Sequence, residues 1–144
     1  MKNHVAVGVE VEYTPGLPPE LNSEEQKKIW SKLFENIEKE LIIFPQSKNI
    51  DIKKGCFTSN GAKIYIDGCR AKECYCNNLY PEIATGEFIS AFSLVAHLEE
   101  VEQVLSTSFN NAFKDVMKAK YKFSPSLYRI TKSENDKKMS LMGF

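Results

Sequence analysis

The sequence predicts an α+β domain with an open, mainly antiparallel sheet and helices on one face of it. Segments with alternating apolar and polar residues at 4–13 and 62–67 predict two strands, and 127–131 predicts a short third one. Two longer segments carry apolar residues at helical spacing. Amphipathic helices bury their apolar stripes against one face of such a sheet, so the polar residues of the strands are expected on the other face.

The first predicted strand has an acidic side. Glu10 and Glu12 alternate with Val7, Val9 and Val11, and successive side chains of a strand point to opposite faces. Both carboxylates therefore point one way and the valines the other. A solvated amphipathic strand shows the same pattern. Two like charges side by side also repel each other, and a bound cation would compensate them.

The first predicted helix begins at Ser23, and Gln26 lies three residues later, as in a capping box. Apolar residues follow at helical spacing, with lysines and glutamates on the other side. Proline interrupts helices, so the helix is expected to end near Phe44-Pro45. The polar stretch 46–55 predicts a loop.

A second, longer helix is predicted from Leu94 to about Lys120, where apolar residues again recur at helical spacing. The preceding residues 87–93 fit either a strand or the start of this helix, and both alternatives stay open. Residues 68–80 are rich in cysteine and predict irregular structure. The tail, 132–144, is polar until its apolar end.

Composition limits the classes of function. The 144 residues are enough for one core, so 1–144 is expected to be a single domain. Nineteen basic and nineteen acidic residues give zero net charge, which argues against a general nucleic-acid-binding protein. No apolar stretch is long enough to span a bilayer, and the N-terminus lacks a signal-peptide core. We therefore expect a cytoplasmic protein without nucleic-acid or membrane partners, and with reduced cysteines.

Three acidic segments together predict a cation site. Besides the first strand, these are 60–67, which ends in Asp67, and 81–87, which contains Glu82 and Glu87. Magnesium prefers oxygen ligands and bridges to substrate phosphates, and phosphoryl transfer depends mainly on positioning and charge neutralisation. Each carboxylate taken alone is compatible with a solvated surface group. An additional aspartate beside such a site would be suited to act as a base.

The same segments resemble three motifs of the prokaryotic ubiquitin-like protein (Pup) ligase and Pup deamidase (depupylase) family. Its members, of the proteasome accessory factor type, are carboxylate–amine ligase relatives with a glutamine synthetase-like fold. Gly8–Tyr13 resembles the family's Gly-x-Glu-x-Glu-Tyr/Phe strand. Asn60–Asp67 is similar to its Asn-Gly-Ala-Arg-x-Tyr-x-Asp, with Lys63 in place of arginine. Pro81–Glu87 resembles its Pro-Glu-Tyr-Ala-Thr-x-Glu, with Ile83 in place of tyrosine.

The resemblance implies ATP and magnesium as cofactors. The implied metal surroundings are Glu10, Glu12, Tyr65, Glu82 and Glu87. Glu10 and Glu12 would also lie on the nucleotide side, and Asp67 matches the family's catalytic base or nucleophile. In a ligase, ATP would phosphorylate the C-terminal glutamate of a Pup-like tag, and a lysine of a target protein would displace the phosphate. In the deamidase branch, the same groups would assist hydrolysis of an amide or isopeptide.

The two branches stay open. Residues 10–13 are more like the deamidase, whereas the short stretch 14–59 and the segment 81–85 favour the ligase. The chain departs from the family in the long link 68–80 and in its end at Phe144, where a His-Glu-Asn segment would begin. We therefore expect a truncated N-terminal part of the catalytic domain, too short to be active alone, whose partner would be the missing C-terminal part.

The cysteines suggest an alternative. Cys56, Cys69, Cys74 and Cys76 offer four thiolates, which suit zinc, although their spacing is not that of paired Cys-x-x-Cys motifs. Free thiols are the other interpretation. The second hypothesis for the whole chain is accordingly a non-catalytic, degenerate homologue or a zinc-stabilised module that binds a protein.

Overall fold

The computed structural model describes residues 5–68, 79–117, 125–132 and 139–143. The strands are β1 (Glu10–Pro15), β2 (Ile43–Phe44), β3 (Cys56–Thr58), β4 (Lys63–Gly68), β5 (Leu79–Ala84), β6 (Leu127–Lys132) and β7 (Met139–Gly143). The helices are α1 (Ser23–Glu40) and α2 (Ala91–Met117), with a 3-10 turn at Ser47–Asn49. Among these described elements, neither helix is both long enough and apolar enough to cross a membrane.

The described strands form one sheet in the order β2-β3-β4-β5-β1-β6-β7, and each described pair of neighbours is antiparallel. The prediction of an α+β fold with an open antiparallel sheet is therefore confirmed. β1 pairs with β5 through Glu10–Glu12 and with β6 through Tyr13–Pro15. Pro81, which has no N–H to donate, lies just beyond the last described β1–β5 pair, so β5 can contain a proline in the middle of the sheet.

α1 begins at Ser23, as predicted, but the residue that caps it differs from the prediction. Asn22, not Ser23, caps the helix: its side-chain oxygen accepts hydrogen bonds from the backbone N–H groups of Glu24 (3.0 Å) and Glu25 (2.9 Å). Glu25 completes the capping box by accepting from the Asn22 N–H at 3.1 Å. The predicted box of Ser23 and Gln26 is wrong because two overlapping boxes exist in the sequence and asparagine is at least as good a cap as serine.

The end of α1 also differs from the prediction. The helix ends at Glu40 rather than near Phe44-Pro45, and Ile43 and Phe44 pair with β3 as strand β2. β-branched and aromatic residues at this point favour the strand. β3 and β5 were not predicted from the sequence, whereas β4 and β6 confirm the second and third predicted strands within one residue at each end.

The region before α2 contains both alternatives that the sequence left open. Val7 and Phe88 form an isolated bridge, and α2 begins soon afterwards at Ala91, three residues earlier than predicted. β1 begins at Glu10, so the bridge at Val7 is the described remainder of the strand predicted over 4–13.

The core lies between the two helices and one face of the sheet. Trp30 of α1 stacks on Phe109 of α2, with ring centroids 5.6 Å apart and planes inclined by 18°. The sheet contributes Ile64, Ile66 and Ile83, all with 0% exposure. Burying a side chain of this size stabilises a fold by about 1.5–3 kcal/mol, so this layer holds the helices on the sheet.

Two glycines allow the β3–β4 region to form. Gly61, at φ +93°, closes the hairpin whose Thr58 N–H donates to the Ala62 carbonyl at 2.8 Å. Gly55, at φ +69°, passes so close to β4 that a Cβ atom would lie 2.0 Å from the Ile64 carbonyl oxygen. A larger residue at position 55 would therefore separate the loop from β4.

Candidate functional site

One face of the sheet is turned away from the helices, and we call it the open face. Alternation along the strands defines it: Ile64, Ile66 and Ile83 are buried in the core, while the residues between them point the other way. The residues of the open face are Glu10, Glu12, Phe44, Phe57, Lys63, Tyr65, Asp67, Tyr80, Glu82 and Ala84.

Strand register arranges these residues in rows that cross the sheet. Tyr65 of β4 lies directly opposite Glu82 of β5, and Glu82 lies directly opposite Glu12 of β1. Side chains at directly opposed positions have Cβ atoms about 4.5–5.5 Å apart. The register therefore places two carboxylates and a phenol side by side, although they come from three separate parts of the sequence.

A hydrogen bond and repulsion between carboxylates determine the electrostatics of this row. The Tyr65 hydroxyl donates a short hydrogen bond to Oε1 of Glu82. Partial burial raises the pKa of Glu82, and the negative charges of Glu10, Glu12 and Asp67 raise it further, against the lowering effect of the Tyr65 hydrogen bond. The charges of three other carboxylates therefore act on Glu82 across the open face, and a cation would relieve this repulsion.

The pKa of the Tyr65 phenol lies above its usual range. Burial raises the pKa of the Tyr65 phenol, followed by its hydrogen bond to Glu82 and by the charges of Glu82, Glu10 and Asp67. The phenol therefore stays protonated and remains a hydrogen-bond donor at neutral pH. Asp67 extends from the same face of β4, at the position opposite Tyr80.

Glu87 lies outside these rows. The pairing of β1 with the chain after β5 shifts by one residue between Glu10–Ala84 and Val7–Phe88, so Gly86 and Glu87 together form a bulge. Glu87 is exposed there. The structure thus brings together Glu10, Glu12, Tyr65, Asp67 and Glu82 on the open face, and it places Glu87 beyond the end of β5.

The geometry allows a site with few protein ligands. Among the described residues, no three histidine, cysteine, aspartate or glutamate side chains are close enough together to hold a metal ion. The opposed pair of Glu12 and Glu82 is a smaller set. Magnesium keeps several of its waters and is commonly bound through one or two carboxylates plus substrate phosphates, so this pair fits a hydrated ion but not a closed protein cage.

Lys63 and Phe57 lie side by side on the open face, and neither was assigned a role from the sequence. The Lys63 ammonium lies over the ring of Tyr65, 4.7 Å from its centroid, and over the ring of Phe57, 5.9 Å from its centroid. The alternation along 62–67 predicts Lys63 on the same face as Tyr65 and Asp67, and the structure confirms that placement. Phe57 could not be placed because β3 was not predicted.

The cysteines are placed only in part. Cys56 lies in the core on the opposite face of β3 from Phe57, with 1% exposure, and burial raises the pKa of its thiol to about 12. The thiol of Cys56 therefore lies within the core and not on the surface of the sheet. Cys69, Cys74 and Cys76 lie outside the described residues, so zinc binding by these cysteines stays a prediction.

No protein-family model, characterised protein or solved structure matches the chain. The family suggested by the three sequence motifs therefore stays a proposal, and the glutamine synthetase-like form of the fold is part of that proposal.

Proposed function

We propose that the open face is the catalytic face of an ATP- and magnesium-dependent carboxylate–amine ligase acting on a Pup-like protein tag, or of its hydrolytic relative. The observation that carries the proposal is the row of Glu12, Glu82 and Tyr65, with Asp67 on the same face. The order of the three acidic motifs, which is similar to that of the Pup ligase and deamidase family, adds support. The glutamine synthetase-like fold belongs to the same proposal.

The roles follow from position and charge. Glu12 and Glu82 would bind a magnesium ion, with Glu10 beside them and Glu87 contributing from the bulge. When bound, magnesium supplies neutralisation of phosphate charge. The protonated Tyr65 phenol donates to Glu82 and so fixes the direction of its carboxylate. ATP would be the phosphate donor.

Asp67 would accept a proton from the attacking group. In ligation that group is the lysine amine of a target protein, and in deamidation or depupylation it is a water molecule. Carboxylate–amine chemistry needs such a base near the metal and phosphates. This role is supported by the position of Asp67 on the same face as Tyr65, since two residues along one strand return the side chain to that face.

The first test is binding. Isothermal titration calorimetry should detect ATP binding that depends on magnesium, and Glu12→Gln together with Glu82→Gln should abolish it. Binding that persists unchanged in the double variant would refute the assigned metal site. Glu99→Gln with Glu100→Gln, two exposed glutamates of α2, is the matched control.

The second test is catalysis. In the complete protein, Asp67→Asn should slow ligation and deamidation of a Pup-like tag by about 100-fold or more, because a positioned general base contributes at least that much. The exposed Asp115→Asn of α2 serves as the matched control. Unchanged rates for Asp67→Asn would remove Asp67 from the mechanism.

A second candidate is a non-catalytic module that binds a protein. Ile89, Phe92 and Val95, around the start of α2, are 70%, 83% and 53% exposed, and such apolar exposure is typical of interaction surfaces. This candidate predicts no magnesium-dependent nucleotide binding, and in its zinc-stabilised form it predicts zinc in the purified protein by elemental analysis.

A further inference from the structure

We propose that the aromatic edge of the open face is a platform for the base of an adenine nucleotide: Phe57 and Phe44 stack on the base, and Lys63 binds its phosphates. The inference rests on the proposed function, which places the magnesium-bound phosphates at Glu12 and Glu82. It adds where the base of the nucleotide would lie and which side chains would contact the base and the phosphates.

The platform is an exposed aromatic pair. Phe44 of β2 and Phe57 of β3 occupy directly opposed positions, and they are 77% and 59% exposed. The residues that alternate with them, Ile43 and Cys56, are buried in the core, so both rings extend from the open face. Stacking on exposed rings of this kind is how proteins bind single bases, because every base has a π-face.

Lys63 provides a cation beside the pair. It lies directly opposite Phe57 across the β3–β4 ladder, and its ammonium is positioned between the rings of Phe57 and Tyr65. On the other side of Lys63, the row continues to Ala84 and Glu10. Ala84, whose side chain is a single methyl group, is the residue that separates Lys63 from Glu10 in this row.

The order of aromatic, basic and acidic side chains along this row indicates the class of ligand. From the sheet edge inward, the row presents two aromatic rings, a cation and then the carboxylate of Glu10, and Glu12 and Glu82 lie in the neighbouring row. A magnesium nucleotide presents a base, phosphates and a divalent cation in the same order. The strands from β3 to β1 span three spacings, roughly 14 Å, which is comparable to the length of an extended nucleoside triphosphate. An apolar peptide would offer no negatively charged group to the Lys63 ammonium.

The discriminating experiment compares magnesium–ATP with magnesium–tripolyphosphate, which has the phosphates but no base. Calorimetric titration of the wild-type chain should show tighter binding of ATP. Phe57→Ala should weaken ATP binding about tenfold, the size expected for loss of one stacking contact, and should leave tripolyphosphate binding unchanged. Lys63→Met should weaken the binding of both ligands, because both carry the phosphates.

Phe92→Ala is the matched control, since Phe92 is an exposed phenylalanine on α2, and it should change neither affinity. Phe57→Leu keeps an apolar side chain while removing the ring, so it tests stacking even where Phe57→Ala perturbs β3, and it should also selectively weaken ATP binding. Should Phe57→Leu and Phe57→Ala bind ATP like wild type, the platform is refuted while the proposed function stands. Failure of the wild-type chain to bind either ligand refutes the proposed function and the platform together.

Discussion

The two faces of the sheet are made by the same strands, but they differ in the groups that surround their carboxylates. On the helix-covered face, Glu102 is a nearly buried acid, and it accepts hydrogen bonds from Tyr13 (2.6 Å) and from Arg129. On the open face, Glu82 lies directly opposite another carboxylate, Glu12. On the covered face Glu102 is paired with a cation. On the open face the cation, Lys63, lies over the rings of Phe57 and Tyr65, and Glu82 is subject to the negative charges of other carboxylates.

This difference separates residues that stabilise the fold from residues that are available for chemistry. A group whose partners are all within the protein contributes to folding and has little capacity left for a ligand. A cluster of like charges reduces folding stability, and it persists where binding compensates it. Substitutions on the two faces should therefore change the free energy of unfolding by different amounts. For carboxylates, the changes should also have opposite signs.

The largest contrast is expected between two aromatic residues. Trp30→Ala should lower the free energy of unfolding by about 3–5 kcal/mol, because it removes a fully buried ring and leaves a cavity against Phe109. Phe57→Ala on the open face should change it by about 0.5 kcal/mol or less. Urea denaturation followed by circular dichroism measures both. Similar losses for the two variants would mean that the open face is covered in solution.

The next contrast is between two glutamates. Glu102→Gln should destabilise the fold by about 2 kcal/mol, because Arg129 loses a charged hydrogen-bond acceptor in a nearly buried setting. Glu12→Gln should instead stabilise it by about 0.5 kcal/mol, because it removes a like charge opposite Glu82. The same urea titrations at neutral pH decide this point, and a loss of stability in Glu12→Gln would contradict the proposed repulsion.

The pH dependence of stability should originate partly from Glu82. Its pKa is raised in the folded state above the ordinary glutamate value of 4.5, so near that value the folded chain binds more protons than the unfolded chain. The contribution of Glu82 to stability is therefore greatest below pH 4.5 and declines as pH rises through the folded-state pKa. Unfolding free energies of wild type and Glu82→Gln should diverge in favour of the variant as pH approaches neutrality. A constant difference across this pH range would show that Glu82 is not responsible.

The smallest expected effect is that of magnesium alone. At a concentration equal to its dissociation constant, a ligand raises the free energy of unfolding by about 0.4 kcal/mol. Magnesium should therefore raise the melting temperature slightly, and it should not do so in Glu12→Gln combined with Glu82→Gln. Calcium is a useful comparison, because it demands more oxygen ligands than this face offers. Equal stabilisation of wild type and the double variant by magnesium would indicate binding elsewhere.

The sequence was sufficient to predict those parts of the fold that depend on a local pattern of apolar and polar residues. The alternation around Glu12 and Tyr65 and the helical spacing around Trp30 were sufficient to assign strand and helix. β3 was too short for a period to be detected, and β5 begins inside the cysteine-rich stretch 68–80 that was predicted to be irregular. Neither segment could be assigned without its pairing partners.

The candidate site needed information that no local window contains. Opposition of Glu82 with Glu12 and with Tyr65 depends on strand register, which long-range pairing and core packing fix together. The sequence could predict which side chains share a face within one strand. It could not predict which strands would be neighbours, so Phe57 and Lys63 did not emerge as a pair.

One feature of β1 limits how this protein can change in length. Glu12 points to the open face and its neighbour Tyr13 to the core. A single residue inserted between Val11 and Glu12 would therefore turn Glu12 towards the core and Tyr13 towards the open face. An acid would enter the apolar layer and a large aromatic ring would reach water, without any change in composition elsewhere. Natural or engineered length variation should therefore be tolerated in the turn after Pro15 rather than in the strand itself.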